Sequence, residues 1–268
     1  LFIIAHTATE FILDKRANNP RRQLATLLGG NLKKGLSKSG YIQRMDSVYK
    51  QVLFSATPLD EESWIPLYQD VVGTILVLQN PLPRKALASL LGLEVEEVIQ
   101  AVEHLHSVLA PSGDQEDPTF RVHHKSFPDF VTSAERCDGE ARKFFIDPAI
   151  RHTRLAQRCF EVMDSRLKQN FFDIDSSQWF TAQPNEQRLI DEKVSIDLAY
   201  ACTHWAIHLA SGCFDDAALQ SLQRFLEKNL LHWIEFLALT RKLSTAFSLL
   251  IAVEICLVSL LTPSDDCQ

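Results

Sequence analysis

The stretch from Trp64 to Val131 decides the fold, and within it the run Arg121-Val-His-His-Lys-Ser-Phe-Pro-Asp-Phe-Val131. Three helical patterns precede that run in close succession. Leu67, Val71, Val72, Ile75, Leu76 and Leu78 mark the first, Pro66 to Asn80. The second, Arg84 to Leu91, is opened by Pro83 and closed by Gly92. Val95, Val98, Ile99, Val102 and Leu105 recur at helical spacing in the third, Val95 to His106. Val108 to Ala110 then leads into a turn-rich polar tip, Pro111-Ser-Gly-Asp-Gln-Glu-Asp-Pro118, and Thr119 to His123 returns from it. Three helices followed by a hairpin with a long polar tip predict a winged helix over 63–135.

Upstream, the patterns predict helices at Leu1 to Leu13, Arg21 to Leu28 and Gln43 to Ala56, a small helical module over 1–62. The loop between the last two holds Gly30-Asn-Leu-Lys-Lys-Gly35-Leu36-Ser37, which has the glycine spacing of a P-loop. Leu36 stands where the phosphate-binding Lys is required, and no apolar strand precedes Gly30, so the loop reads as a solvated linker. Downstream, helices are expected at Pro148 to Asn170, Leu189 to Ala210, Asp215 to Lys228, Leu230 to Lys242 and Ser244 to Leu261. Asp173 to Asn185 forms a loop among them. Short connections favour antiparallel packing, so 136–268 reads as a C-terminal α-helical bundle or the start of a superhelical array. The class is mainly α, with one small β-hairpin.

Composition narrows the function. With 268 residues, 46% of them apolar and 23% charged, the chain can bury two or three cores. A net charge of -7 argues against a bulk electrostatic partnership with nucleic acid or anionic lipid. Six scattered cysteines without a Cys-x-x-Cys read as reduced thiols in an intracellular, cytoplasmic protein. The chain opens on Leu1 in mid-pattern without signal-peptide features, and is expected to be a piece of a longer protein. Leu243 to Leu261 is apolar and nearly long enough to span a bilayer. Glu254 near its middle would cost about 2.5–3.5 kcal/mol there, which favours docking on protein over a membrane.

Self-sufficient catalysis is not expected. His204 and His208 share one helical face, but no Glu follows the first and no third ligand suggests itself, so they read as core histidines. No Gly-x-Ser-x-Gly elbow or distinct acid pair occurs. No catalytic residue and no metal ligand is nominated. DNA binding is the weakest alternative. The helix that would enter the groove carries Glu96, Glu97 and Glu103 and no Lys or Arg, and the wing carries Asp114, Glu116 and Asp117. Carboxylates there would face one phosphate charge per ~1.7 Å and release no counterion.

The corner after the wing is the most informative place. Phe127, Phe130 and Val131 predict a buried helix face beginning near Ser126, with Ser126 available as its cap. His123 and His124 stand at the strand-to-helix corner, where an anion would meet amide donors and an imidazole.

His124-Lys-Ser-Phe-Pro-Asp-Phe-Val131 resembles the His-x-Ser/Thr-Phe-x-Asp/Glu-Phe signature in the winged helix of NACHT-type STAND nucleotide switches, the NOD-like receptor architecture. Leu1-Phe-Ile-Ile-Ala-His-Thr-Ala-Thr-Glu-Phe-Ile12 is similar to the segment closing the ATPase core in the large fungal branch. Pro81-Leu-Pro, Leu87-Ala-Ser-Leu-Leu-Gly92 and Leu105-His-Ser-Val-Leu109 are similar to its winged helix. Tyr200-Ala-Cys-Thr-His-Trp-Ala-Ile-His-Leu209 and Leu230-Leu-His-Trp-Ile-Glu-Phe-Leu-Ala-Leu239 are similar to the helices that follow. The resemblance implies that His124 contacts the phosphate of ADP, supported by Lys125, Ser126, Phe127, Asp129 and Phe130. It also implies a signalling switch related to innate immunity. ADP or ATP with magnesium would be held by a NACHT ATPase core in cis, a repeat sensor would lie downstream, and activation would produce a homo-oligomer. The Walker loops and sensor Arg of that family are absent from this chain, and Pro128 interrupts the signature. By itself the chain is therefore expected to be a regulatory lid and not an enzyme. An all-α interaction module without a nucleotide role is the second reading.

Overall fold

A computed structural model describes residues 2–13, 19–29, 38–173, 190 and 192–261. The P-loop-like stretch from Gly30 to Ser37 and most of the Asp173 to Asn185 loop lie outside them, as does Cys267. The chain is mainly α-helical, with one two-stranded antiparallel sheet among the described residues. It divides into two compact units, Leu1–Ala88 with Leu93–Pro148, and Ser89–Gly92 with Ala149–Gln268.

In the first unit, α1 (Phe2–Ile12), α2 (Pro20–Gly29) and α3 (Lys38–Ala56) pack together. They are followed by α4 (Glu61–Val77), the start of α5 (Arg84–Leu91), α6 (Val95–Val102), β1 (Leu109–Ser112), β2 (Thr119–Val122) and α7 (Ser126–Val131). The hairpin pairs Leu109 with Val122 and Ser112 with Thr119. Pro83 adds an isolated antiparallel bridge to Thr119, and the Arg84 amide donates to the Pro118 carbonyl at 3.0 Å. The hairpin is thus stitched to the start of α5, with the three helices before it. A 3-10 turn, Gly139–Phe144, completes the unit.

Several predicted boundaries move: the helix expected from Gln43 begins at Lys38, the one expected to reach Asn170 ends at Arg166, and the one expected from Leu189 begins at Ile196. α4 begins at Glu61, not at Pro66, because Asp60 caps it by accepting the Ser63 amide, and Glu61 and Glu62 complement the positive end of the helix. Pro66 then falls inside, where only the bond to the exposed Glu62 carbonyl is forgone. The earlier start brings Trp64 into the core, stacked on Tyr68 at 5.1 Å with its indole N–H on the Gln100 carbonyl at 3.2 Å. α6 ends at Val102 rather than His106. Its start is held by a reciprocal pair in which Glu97 accepts the Glu94 amide.

The core of the first unit runs along α3. Met45, Val48, Tyr49, Val52, Leu53 and Ala56 are all buried, and the helix packs on α7, where Tyr49 meets Phe127 and Phe130, which with Val131 are almost fully enclosed. Removing each of these large side chains from water contributes roughly 1.5–3 kcal/mol. Tyr68 and Phe54 pack edge-on to Phe144, and Gln69 donates to the Lys143 and Phe145 carbonyls. The segments 1–62 and 63–135 therefore share one core.

The second unit contains α8 (Pro148–Arg166), α9 (Ile196–Ser211), α10 (Asp216–Lys228), α11 (Leu230–Leu239) and α12 (Leu243–Leu261). Its centre is an aromatic cluster in which Trp205 meets Phe225 at 4.8 Å, Phe160 at 5.3 Å and Trp233 at 5.8 Å. The Trp233 indole N–H donates to the Cys202 carbonyl at 2.8 Å. The last turn of α5 belongs here too. Arg158 donates to the Leu91 carbonyl, and buried Asp197 accepts from Ser89 and pairs with Arg166, each at close range. Gly92 has φ +66°, and the Arg158 guanidinium occupies the space a Cβ would need, so glycine is required on both counts.

Cys137, Cys159, Cys202, Cys213 and Cys256 are free thiols. Burial pushes Cys137 up to about 11 and raises Cys159 and Cys202 as well, so none of these three buried thiols is poised as a thiolate. Among the described residues, no helix is long and apolar enough to cross a membrane.

Candidate functional site

The predicted corner is built from three elements. The hairpin continues one residue past β2, because the His123 amide donates to the Val108 carbonyl at 3.0 Å. The His123 ring is then fixed by Nε2–H donating to the His106 carbonyl at 2.9 Å, with the His6 ring edge-on at 5.6 Å. The chain turns at Lys125, whose backbone is already helical, and α7 begins at Ser126.

His124 is half-buried at this turn. The Ser126 amide donates to its Nδ1 at 3.0 Å, and the Ser126 hydroxyl lies 2.7 Å from the same nitrogen. The Tyr49 hydroxyl on α3 is 2.7 Å from Ser126 Oγ. One proton arrangement satisfies all three contacts together. A nitrogen that accepts an amide N–H carries no hydrogen, so Ser126 Oγ–H must donate to Nδ1 as well, and Tyr49 O–H must donate to Ser126. The ring proton therefore sits on Nε2, for which the described residues supply no partner. The helix start is capped by the imidazole. The capping role expected of Ser126 falls to His124, while Ser126 orients the ring.

The remaining nominated residues divide by task. Phe127 and Phe130 anchor α7, each meeting the Tyr49 ring at about the same separation, 5.5 and 5.6 Å. Lys125 and Asp129 are exposed. Arg136 forks onto Asp46 of α3 at 2.6 and 3.2 Å and lies over the Phe130 ring, pinning α7 from its far end. The hydrogen bonds that Arg136 donates to the Asp46 carboxylate raise it above the usual arginine range. Tyr49, Asp46 and Arg136 are not legible in the sequence as site residues. Each sits in an ordinary helical or loop pattern, and Tyr49 is 77 positions from its partner.

Two open clefts lie away from this corner. One of about 340 Å³ is walled by Phe160, Asp164, Arg224 and Asn229, and one of about 660 Å³ lies beside Leu59, Glu62, Ile65 and Lys143. Neither is lined by His124, whose outward nitrogen is a surface donor.

The rings of His204 and His208 are engaged in packing within the second unit. His208 is fully buried, with Nδ1 2.8 Å from His152 Nδ1 and Nε2 2.7 Å from the Tyr200 hydroxyl. His204 stacks on the Tyr200 ring at 4.4 Å. Among the described residues no group of three or more His, Cys, Asp and Glu is placed to hold a metal ion. Burial, reinforced by the charges of His152 and His204, lowers His208 to about 3, and burial also lowers His152 and His204. All three are neutral packing groups at neutral pH. Compared with known protein families, curated proteins and solved structures, the chain matches none.

Proposed function

We propose that this chain is the regulatory lid of a NACHT-type nucleotide switch, with His124 reading the phosphate of a nucleotide held by an ATPase core. One observation carries the reading. The helix start and Ser126 consume Nδ1 of His124, which leaves Nε2–H as an outward donor on a rigid turn. An N–H held in one direction suits a phosphate oxygen brought up by a docked domain. A hydrogen bond of that kind to a charged acceptor contributes roughly 1.5–3 kcal/mol, which shifts a two-state equilibrium about tenfold or more. Lys125, exposed beside the turn, adds a cation to the same surface. Tyr49, Phe127 and Phe130 keep the turn from yielding when the ligand pulls on it.

The nucleotide and magnesium would be held chiefly by the core, and this chain's part is to close on the phosphate and release it on exchange. The test first reads the coding sequence upstream of Leu1, where a P-loop core is expected, and then uses a protein extended to include that core. His124→Ala in that protein should weaken ADP by about tenfold, as measured by fluorescent-nucleotide titration. The absence of any P-loop in the preceding coding sequence, or equal ADP affinity in both proteins, would refute the assignment.

A further inference from the structure

We infer that His6 and His123 form a two-histidine site for a divalent transition-metal ion of the zinc class, which cross-links α1 to the end of the hairpin. The two imidazoles come from separate elements, one on α1 and one just past β2, and meet edge-on with ring centres 5.6 Å apart. Metal–nitrogen bonds of about 2.0–2.1 Å put two imidazoles on one tetrahedral ion with their centres about 5 Å apart. The pair is therefore within a small side-chain adjustment of sharing an ion. Both residues are exposed, which gives the ion a path from solvent.

The hydrogen bonding of His123 prepares it as a ligand. A carbonyl only accepts, so the 2.9 Å contact to the His106 carbonyl places a proton on Nε2 and leaves Nδ1 as the nitrogen available to a metal. Metal-binding histidines are held in this way, the second ring nitrogen donating to a carbonyl or carboxylate that fixes the ring. Among the described residues no group hydrogen-bonds His123 Nδ1 or either nitrogen of His6. Imidazole nitrogen selects zinc, copper or nickel over magnesium and calcium, which require oxygen. Two protein ligands leave the other positions to water, and among the described residues no third His, Cys, Asp or Glu is placed to join them. Exposed Glu10, one turn along α1, and exposed Arg121, two residues back along the strand, offset each other in charge, so the two nitrogens set the affinity. α1 packs on α2 and α3 whereas the hairpin packs on α4, so a shared ion ties together two parts of the first unit. The inference is independent of any nucleotide role.

Isothermal titration of the whole chain with zinc chloride should show a site that His6→Ala and His123→Ala each weaken by about tenfold or more. Pulsed electron paramagnetic resonance of the chain loaded with one equivalent of copper(II) should count two coordinated imidazoles in the wild type and fewer in His6→Ala. His6 is exposed and makes no hydrogen bond among the described residues, so its removal should leave the helical circular dichroism unchanged. That variant decides the matter should His123→Ala, which gives up its hold on the His106 carbonyl, fail to fold. Equal zinc affinity in the wild type and His6→Ala overturns the inference, whether the ion binds elsewhere on the chain or not at all. So does a copper signal from fewer than two imidazoles in the wild type, or one that His6→Ala leaves unchanged.

Discussion

Acid should weaken the second unit through His208, and the size of the effect follows from its surroundings. Its ring is enclosed on every side, with both nitrogens spent on neutral partners, His152 and Tyr200. Adding a proton would leave a buried cation beside a second imidazole, which is why the folded value lies at about 3 against 6.5 in the open chain. The folded value is depressed, so the unfolded chain binds the proton first as pH falls. Stability is therefore complete above about pH 6.5 and declines through the window between 6.5 and 3. Integrating that difference costs about 2 kcal/mol at pH 5 and about 3 kcal/mol at pH 4. Burial also lowers His152, which adds in the same direction. Urea unfolding followed by tryptophan fluorescence reports this core, because Trp205 and Trp233 lie within it. Between pH 7.5 and pH 5 the wild type should lose about 2 kcal/mol more than His208→Gln, which keeps a polar group but cannot titrate. Surface carboxylates titrate alike in both and cancel. An equal loss in the two proteins would show that His208 does not carry the linkage.

Four other perturbations test the packing and the corner. Gly92→Ala forces a Cβ into the left-handed region and into the Arg158 guanidinium, and should cost about 1–3 kcal/mol by thermal denaturation. Phe130→Ala empties a fully buried site between α3 and α7 and should cost about 3–5 kcal/mol by the same measurement. Tyr49→Phe keeps the ring contacts but removes the donor to Ser126, and should cost about 0.5–1.5 kcal/mol in urea while leaving the fold intact. His124→Asn leaves a side-chain acceptor able to cap α7. It should therefore be more stable than His124→Ala by about 1 kcal/mol, whereas in the upstream-extended protein both should lose the nucleotide contact alike.

The helices and the hairpin are legible where punctuation and periodicity agree. Pro83 and Gly92 bracket α5 at its observed ends, and a polar tip separates two short strands, although β1 takes in Pro111 and Ser112, which turn-rich composition places in the tip. The start of α4 is misplaced from sequence because proline at a first helical turn is a strong signal, and Asp60 with Ser63 is a stronger one once Trp64 has a core to enter. Periodicity overextends α6 because Leu105 continues its apolar spacing, while in the fold Leu105 is buried from a turn. At the site, His124 stands out by its position between a strand and an apolar helix. Tyr49 does not, since a tyrosine on a helical stripe reads as core, and its hydroxyl finds Ser126 only after the chain has folded back 77 positions. The same holds for His152 and His208, which are 56 positions apart. Local chemistry marks which residues are unusual, and only tertiary contact says which nitrogen is left to act.

That distinction changes how the corner should be weighed. A histidine at a strand-to-helix turn invites two readings, a residue filling the turn or a ligand contact, and they look like rivals. Here the two ring nitrogens divide the work. Nδ1 is committed to the fold, as acceptor for the Ser126 amide and hydroxyl, and this commitment forces the proton onto Nε2. The structural task thus makes the outward nitrogen a donor of fixed direction. It also makes asparagine an informative substitution, because an amide can take over the first task without reaching where Nε2 points. A lysine or serine in place of His124 would not be so constrained. Lysine carries no acceptor for the helix start, and a serine hydroxyl is too short to serve as cap and outward donor together.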